Sequence, residues 1–548
     1  MTHKKIGLLT VLFAFALCLS ACGVFPGSGS RSFQEKEAEE INTSGFLKLV
    51  DDEPDTVDPQ CTSSYYTAAL NVLDRLVEIQ VNPDGTSEIK PSLARSWEIS
   101  EDGLVYTFHL HENVKFSNGS PLTASDVLFT IKRLLTNPDS YNQDLALGVL
   151  GAEKLMLGQT DDLEGFQILS DYDFVITLEN PYASYLACIS TPGASVLDEE
   201  STIAAGDRFG KEPSSFVGTG PFILREWNPG RGLVFVANPS CWSGAPRCEG
   251  LDVIFASDTE TQRLMFENGE LDILDLDNLG NDAEYFIHGD IYQKLLHQGP
   301  RVGISYVAFN ELVRPLNDVR VRKALQLALD RQTLLDAVYS GRGLVEDGIF
   351  PHGLIGHNHD LEKIPYDPDA ARKLLEEAGY QNGFELEIDF STSSSRNTMD
   401  LLELIAMMWE KIGVRVKLVP MSESDFMMLR RGGSLTCYTS TWSADYNDPD
   451  NFIYTFFGNA RNTNYRSLCY SDREVMKRVQ NAREIVDEEM RIREYQELEK
   501  IIAQEDAAWV PLFSRMHYFV VSERVQGFQV LWNGWSSNIY RNVEIIAE

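Results

Sequence analysis

"FELEIDFSTSSSRNTMDLLELIAMMWEKIGVRVKLVP", residues 384–420, decides the architecture of the chain. Its first seven residues alternate apolar and polar as a half-buried strand does, Met399 to Ile412 reads as a helix, and Val414 restarts the alternation. A strand, a helix and a second strand joined by short links predict a parallel or mixed sheet covered by helices, so the fold class is α/β.

Working outward, "DVRVRKALQLALDRQTLLDAV" (318–338) spaces its apolar residues by three and four as an amphipathic helix, and 473–504 is helical with a charged outer face. Between them "LTCYTS" (435–440) reads as a strand, followed closely by "TWSADYNDPDNF" (441–452). There Asp445 stands between Trp442 and Tyr446. A carboxylate among aromatic rings is costly to desolvate, so it awaits a positive group. Nearer the N-terminus, 46–57 reads as a strand leaving into a loop and Leu70–Val77 as a short helix. In 93–134 a strand alternates through Val105–Leu110, "SNGS" turns the chain, and Thr123 with Asp126 forms a capping-box variant that opens a helix through Arg133. Gly218, Thr219 and Gly220 do not make a phosphate loop, because Pro221 and "FIL" continue as strand.

A chain of 548 residues exceeds one core, and 43% apolar composition supplies two to four domains. Lys plus Arg number 47 against 82 Asp plus Glu; the net charge of −35 argues against nucleic acid or an anionic bilayer as binding partner. Lys4 and Lys5 precede an apolar run from Ile6 to Leu19, the layout of an export signal too short to span a membrane comfortably. "LSAC" (19–22) resembles a bacterial lipobox, which implies residues 1–22 as signal peptide and Cys22 as lipid anchor. Residues 23–43, rich in Gly and Ser and then in Glu, read as a flexible tether. Of the six remaining cysteines, Cys241 and Cys248 flank "WSGAPR" and are the first candidates for a disulfide; other pairings stay open. No zinc-type Cys/His spacing occurs, and His357 and His359 stand in a polar loop without further ligands, so no metal or cofactor is expected. With no His-Glu-x-x-His, no Gly-x-Ser-x-Gly and no P-loop, no catalytic residue is expected either, and a secreted hydrolase is a remote alternative.

"LARSWEISEDGLVYTFHL", "VGTGPFILREWNPGRGLVFVANPSCWSGAP", "NDVRVRKALQLALDR", "YDPDAARKLLEEAGY" and "WSADYNDPDNF", in that order, resemble the family 5 extracellular solute-binding proteins, the dipeptide and oligopeptide receptors of ABC importers. The resemblance implies a bilobed clamshell of the periplasmic-binding-protein type with an extra domain and a two-strand hinge. Lobe I is expected at 44–77, 198–301 and 521–548, the extra domain at 78–197, and lobe II at 302–520, with chain crossings near 301 and 520. It implies that Asp445 receives the α-ammonium of a peptide, with Trp442 and Tyr446 as walls and the backbone near Thr441, Ser443 and Asn310 pairing with the ligand main chain. Arg396 is the first candidate for the ligand carboxylate and Arg430 the second; Glu53 matches an acid lining the pocket. Some oligopeptide relatives carry a basic residue six positions before the key Asp, where this chain has Thr439. The implied partners are two permease subunits with cytoplasmic ATPases, for a monomeric lipoprotein on the outer face of the cytoplasmic membrane. The same family also takes nickel chelates, haem, opines and sugars, which stand as the alternative ligands.

Overall fold

The computed structural model describes residues 41–62, 65–81, 87–279, 283–532 and 539–546; the expected signal peptide, Cys22 and nearly all of the tether lie outside them. Strands Phe384–Ser391 and Val414–Met421 pair in parallel from Phe384↔Val414 to Ser391↔Met421, with helix Arg396–Glu410 crossing between them. The helix begins earlier than its apolar run because the Ser395 hydroxyl accepts from the Thr398 amide at 3.2 Å. Its buried face, Leu402, Ile405 and Trp409, packs on the helices before it, and the Trp409 indole donates to the Leu325 carbonyl at 2.9 Å. Burial of each such side chain contributes about 1.5–3 kcal/mol. Gly383 and Gly413, with φ of 74° and 90°, face each other where the two strands start, and a Cβ at Gly383 would strike the Gly413 carbonyl.

The stretch 318–338 is two helices, Val319–Leu327 and Arg331–Tyr339. The apolar spacing persists across the break, but the Asp330 carboxylate accepts from the Thr333 amide and starts a second helix. The same device, Asp487 accepting from the Met490 amide, divides 473–504 into Arg473–Ala482 and Glu488–Lys500.

Strand Trp509–Val521 runs through two groups of partners. Residues 509–515 pair with the fully buried strand Gly303–Phe309 and with Gly343–Val345, whereas 516–521 pair with Leu296–Pro300 and Ile273–Asp275. The change of partners falls between Arg515 and Met516. Beyond Gly303–Phe309, strand Cys437–Ser443 closes the order as its end member, in register from Gly303↔Ser443 to Phe309↔Cys437.

Leu47–Asp51 lies parallel to Gly250–Phe255, which continues antiparallel into Gly232–Ala237 and Phe222–Asn228. Ala94–Ile99, Val105–Leu110, Asp173–Thr177 and Phe166–Ile168 form a separate antiparallel sheet, packed in one core with helix Ala124–Thr136, which the Thr123/Asp126 capping box opens. The helix expected over Leu70–Val77 is instead Thr67–Val72, and Val77 begins a strand. Gly220 donates its amide to the Val72 carbonyl at 2.8 Å, and a Cβ at Gly218 would collide with that same oxygen, so the Gly-Thr-Gly turn serves close backbone packing. Cys241 and Cys248 are separate thiols rather than the expected disulfide. The Cys241 sulfur faces the Thr219 carbonyl and the Ser243 hydroxyl, while Cys248 packs into a core with Leu47 and Leu251. Among the described residues no helix is long and apolar enough to cross a membrane.

Candidate binding site

The segment after strand Cys437–Ser443 carries three carboxylates, and the fold treats them differently. Asp448 is buried and held by the Arg491 guanidinium through two contacts of 2.8 Å. Asp450, fully buried, accepts from the hydroxyls of Tyr495 and Tyr446 at 2.9 Å and of Tyr182 at 3.1 Å, and Arg483 Nε lies 3.0 Å away. Asp445 forms no ion pair among the described residues. Among the described residues its carboxylate accepts only from the Asn451 side-chain amide, at 3.2 Å.

Asn451 orients the site. It is buried, and its Oδ1 accepts from the Trp442 indole at 2.9 Å and from the Asp445 backbone amide at 3.2 Å, so one side chain fixes both the ring and the acid. Asp445 is exposed to solvent, with enough protein crowded about it to desolvate its carboxylate in part. Burial pushes its carboxyl up to about 6; the Asp144 charge adds to the rise, and the Asn451 hydrogen bond and the Arg466 charge offset part of it. Asp144 belongs to a short turn of helix in 143–145, and its carboxyl is also raised by burial. Tyr66, whose hydroxyl donates to the Thr62 carbonyl, feels both acids. Segments distant in sequence thus bring two carboxylates near enough to feel each other's charge, a negative field suited to a cation.

Beside this anionic end stands a cationic one. The Arg466 guanidinium lies 4.7 Å from the centre of the Trp442 ring and 5.0 Å from that of Phe456, and Trp442 meets Phe456 edge-on at 5.3 Å. The buried Nε atoms of Arg466 and Arg430 have no hydrogen-bond partner among the described residues.

Several expected site residues have other tasks. Asn310 is buried, donating to the Gly433 and Leu435 carbonyls at 3.1 and 2.7 Å and accepting from the Leu312 amide, which leaves it no reach toward a ligand. Glu53 accepts from the Gly230 amide at 3.0 Å and so braces the hairpin at 228–232. Arg396 is exposed and pairs with Asp400 one helical turn away. The Tyr446 hydroxyl is held by Tyr182 and Asp450. Ser443 and Thr441 lie on the end strand, with the Thr441 hydroxyl 3.1 Å from that of Ser305. Asn451, Arg466, Asp144 and Tyr66 were not expected. Asn451 stands in the quoted motif, but the other three come from segments whose local sequence carries no sign of a site. A cavity of about 910 Å³, lined by Asp58, Arg133 and Lys211 among others, contains none of the expected site residues.

Residues 88–464 match the model of the bacterial extracellular solute-binding proteins, family 5. This chain belongs to that family. Heme-binding protein A of Haemophilus influenzae is 30% identical over 541 residues, covering 96% of both chains. The dipeptide-binding protein of Escherichia coli K12 is 27% identical, covering 90% of this chain and 93% of its own. Among solved structures, HbpA2 from Haemophilus parasuis superposes with a TM-score of 0.78 at 29% identity, over 92% of this chain and all of the other. The fold is therefore the α/β clamshell of family 5 binding proteins.

Proposed function

We propose that this family 5 protein captures peptides by their free amino terminus between two lobes and delivers them to the permease of an ABC importer. The observation that carries the reading is the contrast within one segment: Asp448 and Asp450 have protein cations and Asp445 has none among the described residues. An ammonium brought to Asp445 meets a fixed acid with Asp144 nearby, and a charge-assisted hydrogen bond there contributes about 1.5–3 kcal/mol. The open edge of Cys437–Ser443 offers main-chain pairing without side-chain preference. Arg466, with Arg430 behind it, is the cation for the ligand carboxylate, in place of Arg396. The lobes divide as 44–77 with 198–301 and the C-terminal segment against lobe II, with 78–197 as the extra domain, and the hinge lies at 301 and at 515–516, where strand partners change. Cys22 tethers a monomer to the outer face of the cytoplasmic membrane, the closed form docks on two permease subunits, and cytoplasmic ATPases supply the energy. No catalysis is assigned to the chain.

Calorimetry with a free tripeptide and its N-acetyl derivative tests the reading. Acetylation, or Asp445→Asn, is expected to weaken binding at least about tenfold, since it leaves one partner of the charge pair unmatched inside the closed complex. Equal affinities for both ligands in the wild type would refute it. A haem-type ligand is the second reading, favoured by the Trp442–Arg466 stack and the name of the Haemophilus relative. Haemin binding that persists in Asp445→Asn while tripeptides fail to compete would select it.

A further inference from the structure

Away from Asp445, the chain following strand Gly343–Val345 gathers metal-type donors from residues that show no metal spacing in sequence. Glu346 is 1% exposed, and Nδ1 of His352 stands 2.9 and 3.1 Å from its two carboxylate oxygens. The His357 ring lies 4.2 Å from that of His352, centre to centre. Nδ1 of His357 is 2.7 Å from the Phe350 carbonyl. A carbonyl only accepts, so Nδ1 carries the proton and Nε2 keeps its lone pair. One donor atom from each of Glu346, His352 and His357 falls within 4.8 Å of the others.

We propose that Glu346, His352 and His357 form a site for a divalent transition metal, with zinc the best match to two imidazoles and one carboxylate. The surroundings resemble those that orient metal ligands: Phe350 fixes the His357 ring, and the Ser514 hydroxyl at 2.5 Å and the His352 amide at 3.0 Å hold Oε1 of Glu346. Among the described residues Oε2 receives only the His352 ring. A metal ion takes the place of the proton shared by His352 and Glu346, which leaves to solvent through the partly exposed imidazoles. The exposed ring of His359, 4.6 Å from that of His357, or a water fills the open position. Calcium and magnesium, which call for oxygen ligands, are excluded by the donor set. The site also touches the loop beneath Asp445: Asn447 accepts from the Ile355 amide at 2.8 Å and donates to the Gly353 carbonyl at 3.1 Å.

Chelator-treated protein titrated with zinc chloride near neutral pH is expected to bind one equivalent, with magnesium and calcium chloride failing to compete. Substituting His352→Ala and His357→Ala together is expected to weaken zinc binding about tenfold or more. His288→Ala, at an exposed histidine paired with Glu284, is expected to leave it unchanged. Circular dichroism of the metal-free variants checks their folding. Should the double variant not fold, cobalt chloride added to wild-type protein is expected to give the visible absorption of imidazole ligation. The proposal is overturned by no saturable zinc uptake in the wild type, by equal affinity in a folded double variant, or by a cobalt spectrum lacking nitrogen ligands.

Discussion

Asp445, Asp448 and Asp450 share one chemistry and one short segment, and only their surroundings separate them. Two are neutralised by arginines and tyrosines that the fold brings from 182 and 483–495, whereas Asp445 stands open to solvent, crowded by protein, with the Asn451 amide as its side-chain partner among the described residues. Its partial desolvation weakens the empty protein slightly, because solvent still screens the exposed group. Its carboxyl, raised to about 6 by burial, stabilises the fold while protonated, and that contribution is lost as pH rises through about 6. Asp445→Asn is therefore expected to raise the Tm of ligand-free protein near neutral pH while lowering peptide affinity, a pair of opposite shifts visible by calorimetry. Peptide affinity of the wild type is expected to fall roughly tenfold between about pH 7.5 and about pH 5 as the carboxylate protonates, and the Asn variant to lose that dependence. A flat profile in the wild type would place the ligand ammonium elsewhere. The proposed roles of Asp445 and Trp442 could be read from the sequence because motif and chemistry coincide there. Arg466 was not, since its place is set by rings at Trp442 and Phe456 rather than by its own neighbours.

At the scale of elements, strands proved easier to read than helix ends. The alternation in 384–390 and from Val414 fixes both strands of the parallel pair, because side-chain direction alternates strictly with residue number. Apolar spacing alone carried 318–338 across a break that the Asp330 carboxylate makes, and it missed the end of helix Thr67–Val72, where the Val72 carbonyl receives an amide 148 residues away. Long-range partners of that kind leave no local trace. The edge strand Cys437–Ser443 has its own test. Methylating a peptide nitrogen that pairs with it removes one hydrogen bond, worth about 0.5–1.5 kcal/mol, so affinity is expected to drop roughly threefold to tenfold at alternate positions and hardly at all between them. Uniform losses along the peptide would argue against strand addition.

For the whole molecule, the contacts that join 182–184 to 448–450 and 483–491 matter as much as the cores. Tyr182 reaches both Tyr446 and Asp450, and Arg483 lies over the Tyr182 ring at 4.2 Å, so the Asp445 segment is braced by a residue more than 250 positions earlier in the chain. Small-angle scattering is expected to show a smaller radius of gyration on adding a free tripeptide and no change with its N-acetyl derivative; contraction with both would detach closure from amine capture. The parallel strand-helix-strand unit was legible from periodicity, but the sharing of Trp509–Val521 between two sets of strands was not, because a continuous apolar run says nothing of where its neighbours change. That sharing limits how the halves travel. An unbroken ribbon bends and twists readily but hardly lengthens, so on the proposed lobe division one half would rock against the other without sliding, and a backbone cut near residue 301 would leave the two halves spliced through the other crossing.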